Sequence, residues 1–181
     1  MAPAPRYQLN KNKYLLEPEV ERLRKILTDF ELKDPRNCLM FWVGLKTGAR
    51  AQEILNIQRS DLNPYDESIF IRGLKNSNDR EIPIHSAIFE RLHRFAEQQA
   101  KEQTGNLVFP ITYPRLYQIW EMYRPVPKKF HSLRHTFAIE LYRKTKDLRL
   151  VQVALGHRNI ANTMVYADYV YSQQELRKLI L

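Results

Sequence analysis

The chain has one cysteine, five glycines and no apolar run long enough to cross a bilayer, and each shortage narrows what it can be. The lone Cys38, in the apolar run CLMFWVGL, forbids an intramolecular disulfide and reads as a buried thiol in a reducing compartment. The opening residues MAPAPRYQLNKNK lack the apolar core of a secretion signal, and no run approaches the roughly 18 residues of a membrane span. A cytoplasmic protein without membrane contact is expected. No internal repeat or low-complexity segment is present, and 181 residues at 44% apolar composition suffice for one compact, well-packed domain. Acidic residues are also in the minority, 20 against 29 Lys and Arg. The resulting net charge of +9 favours a polyanionic partner. Lys128, Lys129, Arg143, Lys144, Lys146, Arg149 and Arg158 concentrate it in the last third of the chain.

Periodicity predicts a mainly helical α+β domain with a small antiparallel sheet. Residues 1–13, with Pro3 and Pro5 and no pattern, read as a flexible arm before a domain over 14–181. From Pro18, an apolar stripe of Val20, Leu23, Ile26, Leu27 and Phe30 marks an amphipathic helix. The segment RNCLMFWVGLKTGA is apolar nearly all round and stops at Gly48, as a central buried helix would, and ARAQEILNI begins another helix after a tight turn. Two β-branched runs in SIFIRGLKNSNDREIPI flank the turn-rich NSND, giving a hairpin with Lys75 near its tip. A further helix follows, with Ser86 as expected N-cap and Ile88, Leu92 and Phe95 on its apolar stripe; RPVPKK then breaks the remaining helical chain.

Several polar residues have the spacing of a phosphate site. In FHSLRHTFA, His131 and Arg134 are three apart and share a helical face. Arg50 starts a helix after a glycine turn, and Glu53, three residues on, can brace its guanidinium. Two planar guanidiniums suit the charge that develops on the non-bridging oxygens of a phosphodiester under attack. Such a reaction also needs a nucleophile, a proton acceptor and a donor for the leaving alkoxide. Tyrosine can attack if cations or a base assist its phenol, whose pKa is about 10; His131 or His157 could help, and Lys75 on its hairpin could protonate the leaving oxygen.

TGARAQEILNI, HSLRHTFA and LGHRNIANTMVY, in this order, resemble the three signature segments of the tyrosine recombinases, the phage-integrase family. GLKNSNDREIPI resembles that family's lysine hairpin, with Lys75 eight residues before Pro83. The resemblance covers residues 47–166 and implies the tyrosine-recombinase catalytic fold. It implies that Arg50 and Arg134 clamp the scissile phosphate, that His131 is the acid/base histidine and that His157 donates a hydrogen bond to the same phosphate. Lys75 would protonate the leaving 5′-hydroxyl, and Tyr166 would attack to form a 3′-phosphotyrosyl link, with Glu53 and His135 in support. Tyr166 follows His157 by nine residues, as the pattern has it, whereas Tyr169 and Tyr171 follow by twelve and fourteen; one helical turn separates Tyr166 from Tyr169. Neither metal nor cofactor is implied.

The resemblance further implies double-stranded DNA as substrate and a homotetramer on two DNA sites, monomeric or weakly associated without DNA. Accessory DNA-bending proteins and a nucleoid setting in a bacterial, archaeal or viral context accompany such an enzyme. Leu176, Leu179 and Ile180 form an apolar stripe in the tail, able to dock on a neighbouring protomer or on its own domain. Most members carry an N-terminal helical domain that closes around DNA, and no such segment is expected here. Either a catalytic fragment or a short member resembling the fimbrial phase-variation recombinases fits, and either should bind isolated DNA weakly and salt-sensitively. The rival readings are a type IB topoisomerase-like relaxase, a non-catalytic DNA-binding module of the same fold and a basic protein–protein adaptor.

Overall fold

A computed structural model describes residues 9–102, 105–169, 171 and 173–181. It is a mainly helical α+β domain. The elements run α1 (Glu17–Phe30), α2 (Pro35–Thr47), α3 (Ala51–Leu55), β1 (Leu62–Asn63), β2 (Ser68–Ile71), β3 (Arg80–Pro83), α4 (Ser86–Glu102), α5 (Tyr113–Tyr123), α6 (Ser132–Thr145), α7 (Leu148–Leu155) and α8 (Gln173–Ile180). Two 3₁₀ segments, Ile160–Asn162 and Met164–Tyr169, lie between α7 and α8.

The all-round apolar α2 is the centre of the larger core, as its composition predicts, with Phe41 set against Trp120, Tyr123 and Phe130. It ends where Gly48 turns left-handed (φ 62°), and a side chain there would meet the Phe137 ring at 2.4 Å. The expected helix after that turn is real but short: α3 has five residues. On α1 the inward stripe is Val20, Leu23 and Leu27, while Phe30, at its C-terminal end, is exposed.

The sheet has the order β1-β2-β3 and is antiparallel throughout, with Ile69 opposite Ile82 and Ile71 opposite Arg80. The hairpin is where the sequence places it, and the two-residue β1 adds an edge strand. On α4 the expected stripe holds, but Ser86 is the first helical residue and not its cap. The N–H groups of Ile88 and Phe89 go to the His85 carbonyl, and the Ser86 hydroxyl donates to Glu67. A sequence search for Ser, Thr, Asp or Asn caps misses a cap whose own residue is histidine.

A second, smaller core joins Leu9, Tyr14, Ala138, Ile139, Tyr142, Val151, Leu155 and Tyr166. Most of the expected arm lies outside the described residues; Leu9 and Tyr14 pack into this core with Asn10, Lys11 and Asn12 exposed between them, and the Leu9 carbonyl accepts the Tyr169 hydroxyl at 2.8 Å. Helix α8 buries none of its described residues, with Leu179 and Ile180 68% and 74% exposed. Among the described residues, no helix is long and apolar enough to cross a membrane.

Candidate active site

Strand alternation explains the first half of the site. On β3 the inward positions are Arg80 and Ile82, so a guanidinium is carried to the face that otherwise holds isoleucine. A buried charge requires a partner, and Glu53 on α3 supplies it. Arg80 Nη2 and Nη1 donate to Glu53 Oε2 and Oε1 at 2.8 and 3.2 Å, both side chains being almost wholly buried. The same carboxylate accepts the backbone N–H of Arg50 at 2.8 Å and its Nη1 at 3.2 Å. Burial works to raise the Glu53 pKa, but the hydrogen bonds and charge of Arg80, then the Arg50 N–H, prevail and hold it below the usual carboxylate range. Glu53 thereby fixes Arg50, whose side chain stays about one third exposed.

Arg134 is held differently. Its Nη1 donates to the Gly48 carbonyl at the end of α2 and its Nη2 to the Leu155 carbonyl at the end of α7, both at 2.8 Å. One cation thus joins the electronegative ends of two helices, each terminated by a left-handed glycine, Gly48 or Gly156. Burial, then the nearby charge of Arg50, lowers its pKa, though a guanidinium stays charged at neutral pH.

The first turn of α6 places His131 and His135 edge to face, ring centroids 4.8 Å apart. His131 is exposed at the rim, yet the protein packed on its inner side, followed by the charges of Arg134 and Arg50, lowers its pKa to about 4. For His135 burial leads, followed by His131 and Arg134, and the value falls to about 3. His157, beyond the Gly156 turn, is lowered to about 4 by burial and then by Arg134 and Arg50. Its Nδ1 is 2.9 Å from the hydroxyl of buried Thr163, whose carbonyl accepts the Tyr166 N–H at 3.0 Å.

The tyrosines part company here. The Tyr166 hydroxyl is 2.8 Å from His135 Nδ1, and the side chain is buried. Tyr169 turns away, to the Leu9 carbonyl and an edge-on contact with Tyr14, and Tyr171 lies under the Lys146 ammonium. Spacing left both Tyr166 and Tyr169 able to face one groove; the 3₁₀ geometry and the packing of residues 9–14 send their hydroxyls to different partners.

Lys75 is exposed on the hairpin tip and makes no hydrogen bond or ion pair with described residues. Its neighbour Ser77 is buried and forms a β-bridge with His157, which sets the tip against the same turn as the histidine. Seven of the eight residues expected at the site are thus joined through hydrogen bonds, ring contacts and shared turns, and Lys75 is connected to them through its loop at Ser77. Two more belong to the site that the sequence reading omitted, Arg80 and Ser77. The signal for Arg80 was its alternation with Ile82 and Ile84; nothing in the sequence marks Ser77. The basic charge divides as well: Lys128 donates to Glu19 and to the Tyr14 carbonyl, at 2.6 and 2.8 Å, and so serves packing, while Lys129, Lys144 and Arg158 are exposed. Among the described residues, no group of three or more His, Cys, Asp or Glu side chains is arranged to hold a metal ion.

A tyrosine recombinase of Pseudothermotoga lettingae is 30% identical over 165 residues, covering 87% of this chain and 56% of that protein. Tyrosine recombinase XerC of Staphylococcus aureus is 30% identical over 188 residues, covering 94% of this chain and 62% of its own length. The chain thus spans less than two thirds of the length of these relatives. The catalytic domain of bacteriophage HP1 integrase superposes with a TM-score of 0.66 at 25% identity, covering 92% of this chain and 94% of that domain. The sequence profile of the phage integrase family matches from Lys13 to Gln173, a span that holds every residue of the site, and the chain belongs to that family.

Proposed function

We propose that the protein is a site-specific recombinase that cuts and rejoins double-stranded DNA through a 3′-phosphotyrosyl intermediate. The observation that carries this reading is the Tyr166 hydroxyl, which alone among the three C-terminal tyrosines rests on the histidine pair beside Arg134. Tyr166 Oη leaves His135 and attacks the scissile phosphorus, and the P–O5′ bond breaks. Its proton passes to the histidine pair, His131 being the acid/base residue; His135 can receive it at Nδ1 in the tautomer with hydrogen on Nε2. Lys75 gives a proton to the departing 5′ oxygen. Arg50 and Arg134 bind the non-bridging oxygens, and His157, neutral and anchored through Nδ1 to Thr163, offers Nε2–H to the same phosphate. Attack by a 5′-hydroxyl on the tyrosyl link, with the proton transfers reversed, rejoins the strands.

Structures of the recombinase XerH, 25% identical to this chain with a TM-score of 0.74, contain its difH DNA substrate, which supports DNA as the partner here. A homotetramer on two sites, accessory bending proteins and a cytoplasmic, nucleoid-associated setting belong to the same reading, as does an N-terminal arm over residues 1–13 ahead of the catalytic domain.

The test is covalent capture from a library of nicked, randomised duplexes. The parent chain should yield an SDS-resistant adduct at a 3′ end that survives chelation of metals, persists in Tyr169→Phe and vanishes in Tyr166→Phe. An adduct in Tyr166→Phe, or none with the parent, overturns the reading. Joining of two captured sites, in place of relaxation of one supercoiled plasmid, separates a recombinase from a relaxase.

A further inference from the structure

The hairpin tip has one buried polar side chain. Lys75, Asn76, Asn78 and Asp79 are exposed, but Ser77 is only 5% exposed. Its hydroxyl accepts Arg50 Nη1 at 3.1 Å and donates to the Gly156 carbonyl at 3.0 Å. The next N–H, of Asn78, donates to the same carbonyl at 2.8 Å, and Arg158 Nε reaches the Asn78 side chain at 3.3 Å. A hydroxyl fits this place because it can accept from a guanidinium and donate to a carbonyl at once.

The tip is also stiff within itself. Ser77 N–H donates to the Leu74 carbonyl at 2.8 Å, so Lys75 lies inside a closed turn with Asn76 at φ 69°. Gly73 N–H donates to Asp79 at 2.7 Å, and a Cβ on Gly73 would lie 2.4 Å from the Ser77 carbonyl. The loop is therefore a compact body fastened at Ser77. The turn that receives it admits no side chain either: a Cβ on Gly156, itself at φ 69°, would stand 2.5 Å from the Asn78 carbonyl and 3.1 Å from Ser77 Oγ.

We propose that Ser77 is a positioning residue for Lys75, tying the lysine loop to Arg50 and to the Gly156–His157 turn so that the leaving-group acid is set in register with the phosphate clamp. This rests on the role of Lys75 proposed above. Ser77 takes no part in proton transfer itself; it shortens the search of the Lys75 ammonium for the 5′ oxygen.

The effect can be separated from loss of the clamp by the leaving group. Duplexes recovered by covalent capture are resynthesised with oxygen or sulfur at the scissile 5′ position, since a thiolate leaves without an acid. Single-turnover cleavage is then measured for the parent and for Ser77→Ala, Gly156→Ala, Lys75→Ala and Arg50→Ala. Ser77→Ala should cleave the oxygen duplex about tenfold more slowly and the sulfur duplex at the parent rate. Gly156→Ala, which pushes the tip away from the other side, should show the same rescue, and Arg50→Ala should be slow on both. Equal slowing of Ser77→Ala on both duplexes, or none on oxygen, overturns the proposal while Lys75→Ala is rescued. Failure of sulfur to rescue Lys75→Ala instead removes the general-acid role on which the proposal stands.

Discussion

Two sets of charges meet at the site and are held in opposite ways. Glu53 and Arg80 are sealed in the protein, each at most 6% exposed, and strand alternation pairs them with each other. Arg50, Lys75 and His131 reach solvent, and Lys75 is held only through the loop that carries it. On the proposed mechanism, the difference separates a scaffold from reagents. Buried charges cost stability when unpaired and so must be matched inside the domain, whereas exposed ones remain available to a phosphate that arrives from outside.

The comparison breaks first at Glu53. Its removal leaves the Arg80 guanidinium buried and unpaired, so Glu53→Ala should lose about 3–5 kcal/mol in urea denaturation. Adding Arg80→Met should restore most of that stability without restoring cleavage. Recovery of cleavage in the double variant would show that Glu53 does not act through Arg50.

Acid should loosen the molecule next. The folded-state pKa values of His131, His135 and His157, near 4, 3 and 4, lie below their ordinary 6.5. Between these values the unfolded chain binds more protons, so the stability they confer is whole above pH 6.5 and is lost as pH falls toward 4. Glu53, also lowered, adds a loss that begins below its ordinary 4.5. Thermal melts from pH 7 to 4 should show a continuous fall; a flat profile would mean that the histidines are not desolvated. DNA phosphate should oppose the shift by favouring the imidazolium forms, so binding should take up protons, measurable as buffer-dependent heat in calorimetry.

The smallest stability change belongs to the exposed set. Lys75→Ala should alter unfolding free energy by less than about 0.5 kcal/mol while slowing cleavage of an oxygen-linked substrate by about 10²–10⁴-fold. A large loss of stability in this variant would place Lys75 with the scaffold.

Patterns with a short period were open to reading. The α2 run and its stop at Gly48 and the hairpin over residues 68–84 follow from neighbours in the chain, whereas Arg50, His131, Arg134, His157 and Tyr166 were marked together by the resemblance to the family's signature segments. Arg80 was hidden because the strand pattern shows that it points inward but not that Glu53, 27 residues earlier, lies there to receive it. Ser77 was hidden more completely, since a serine in a turn-rich tip looks solvent-facing until the Gly156 carbonyl, 79 residues away in sequence, closes on it. The positive charge counted along the last third likewise could not reveal that Lys128 is committed to Glu19.

The sequence by itself determined the central helix with its stop at Gly48 and the lysine hairpin, and it put a tyrosine nine residues beyond a histidine. The tertiary structure alone decided that Tyr166 rests on His135 while Tyr169 is drawn to the backbone of Leu9. The physical reason is that local order depends on contacts within a few residues, whereas hydrogen-bond partners at a buried site are settled by which distant carbonyls and imidazoles the packed cores bring within 3 Å.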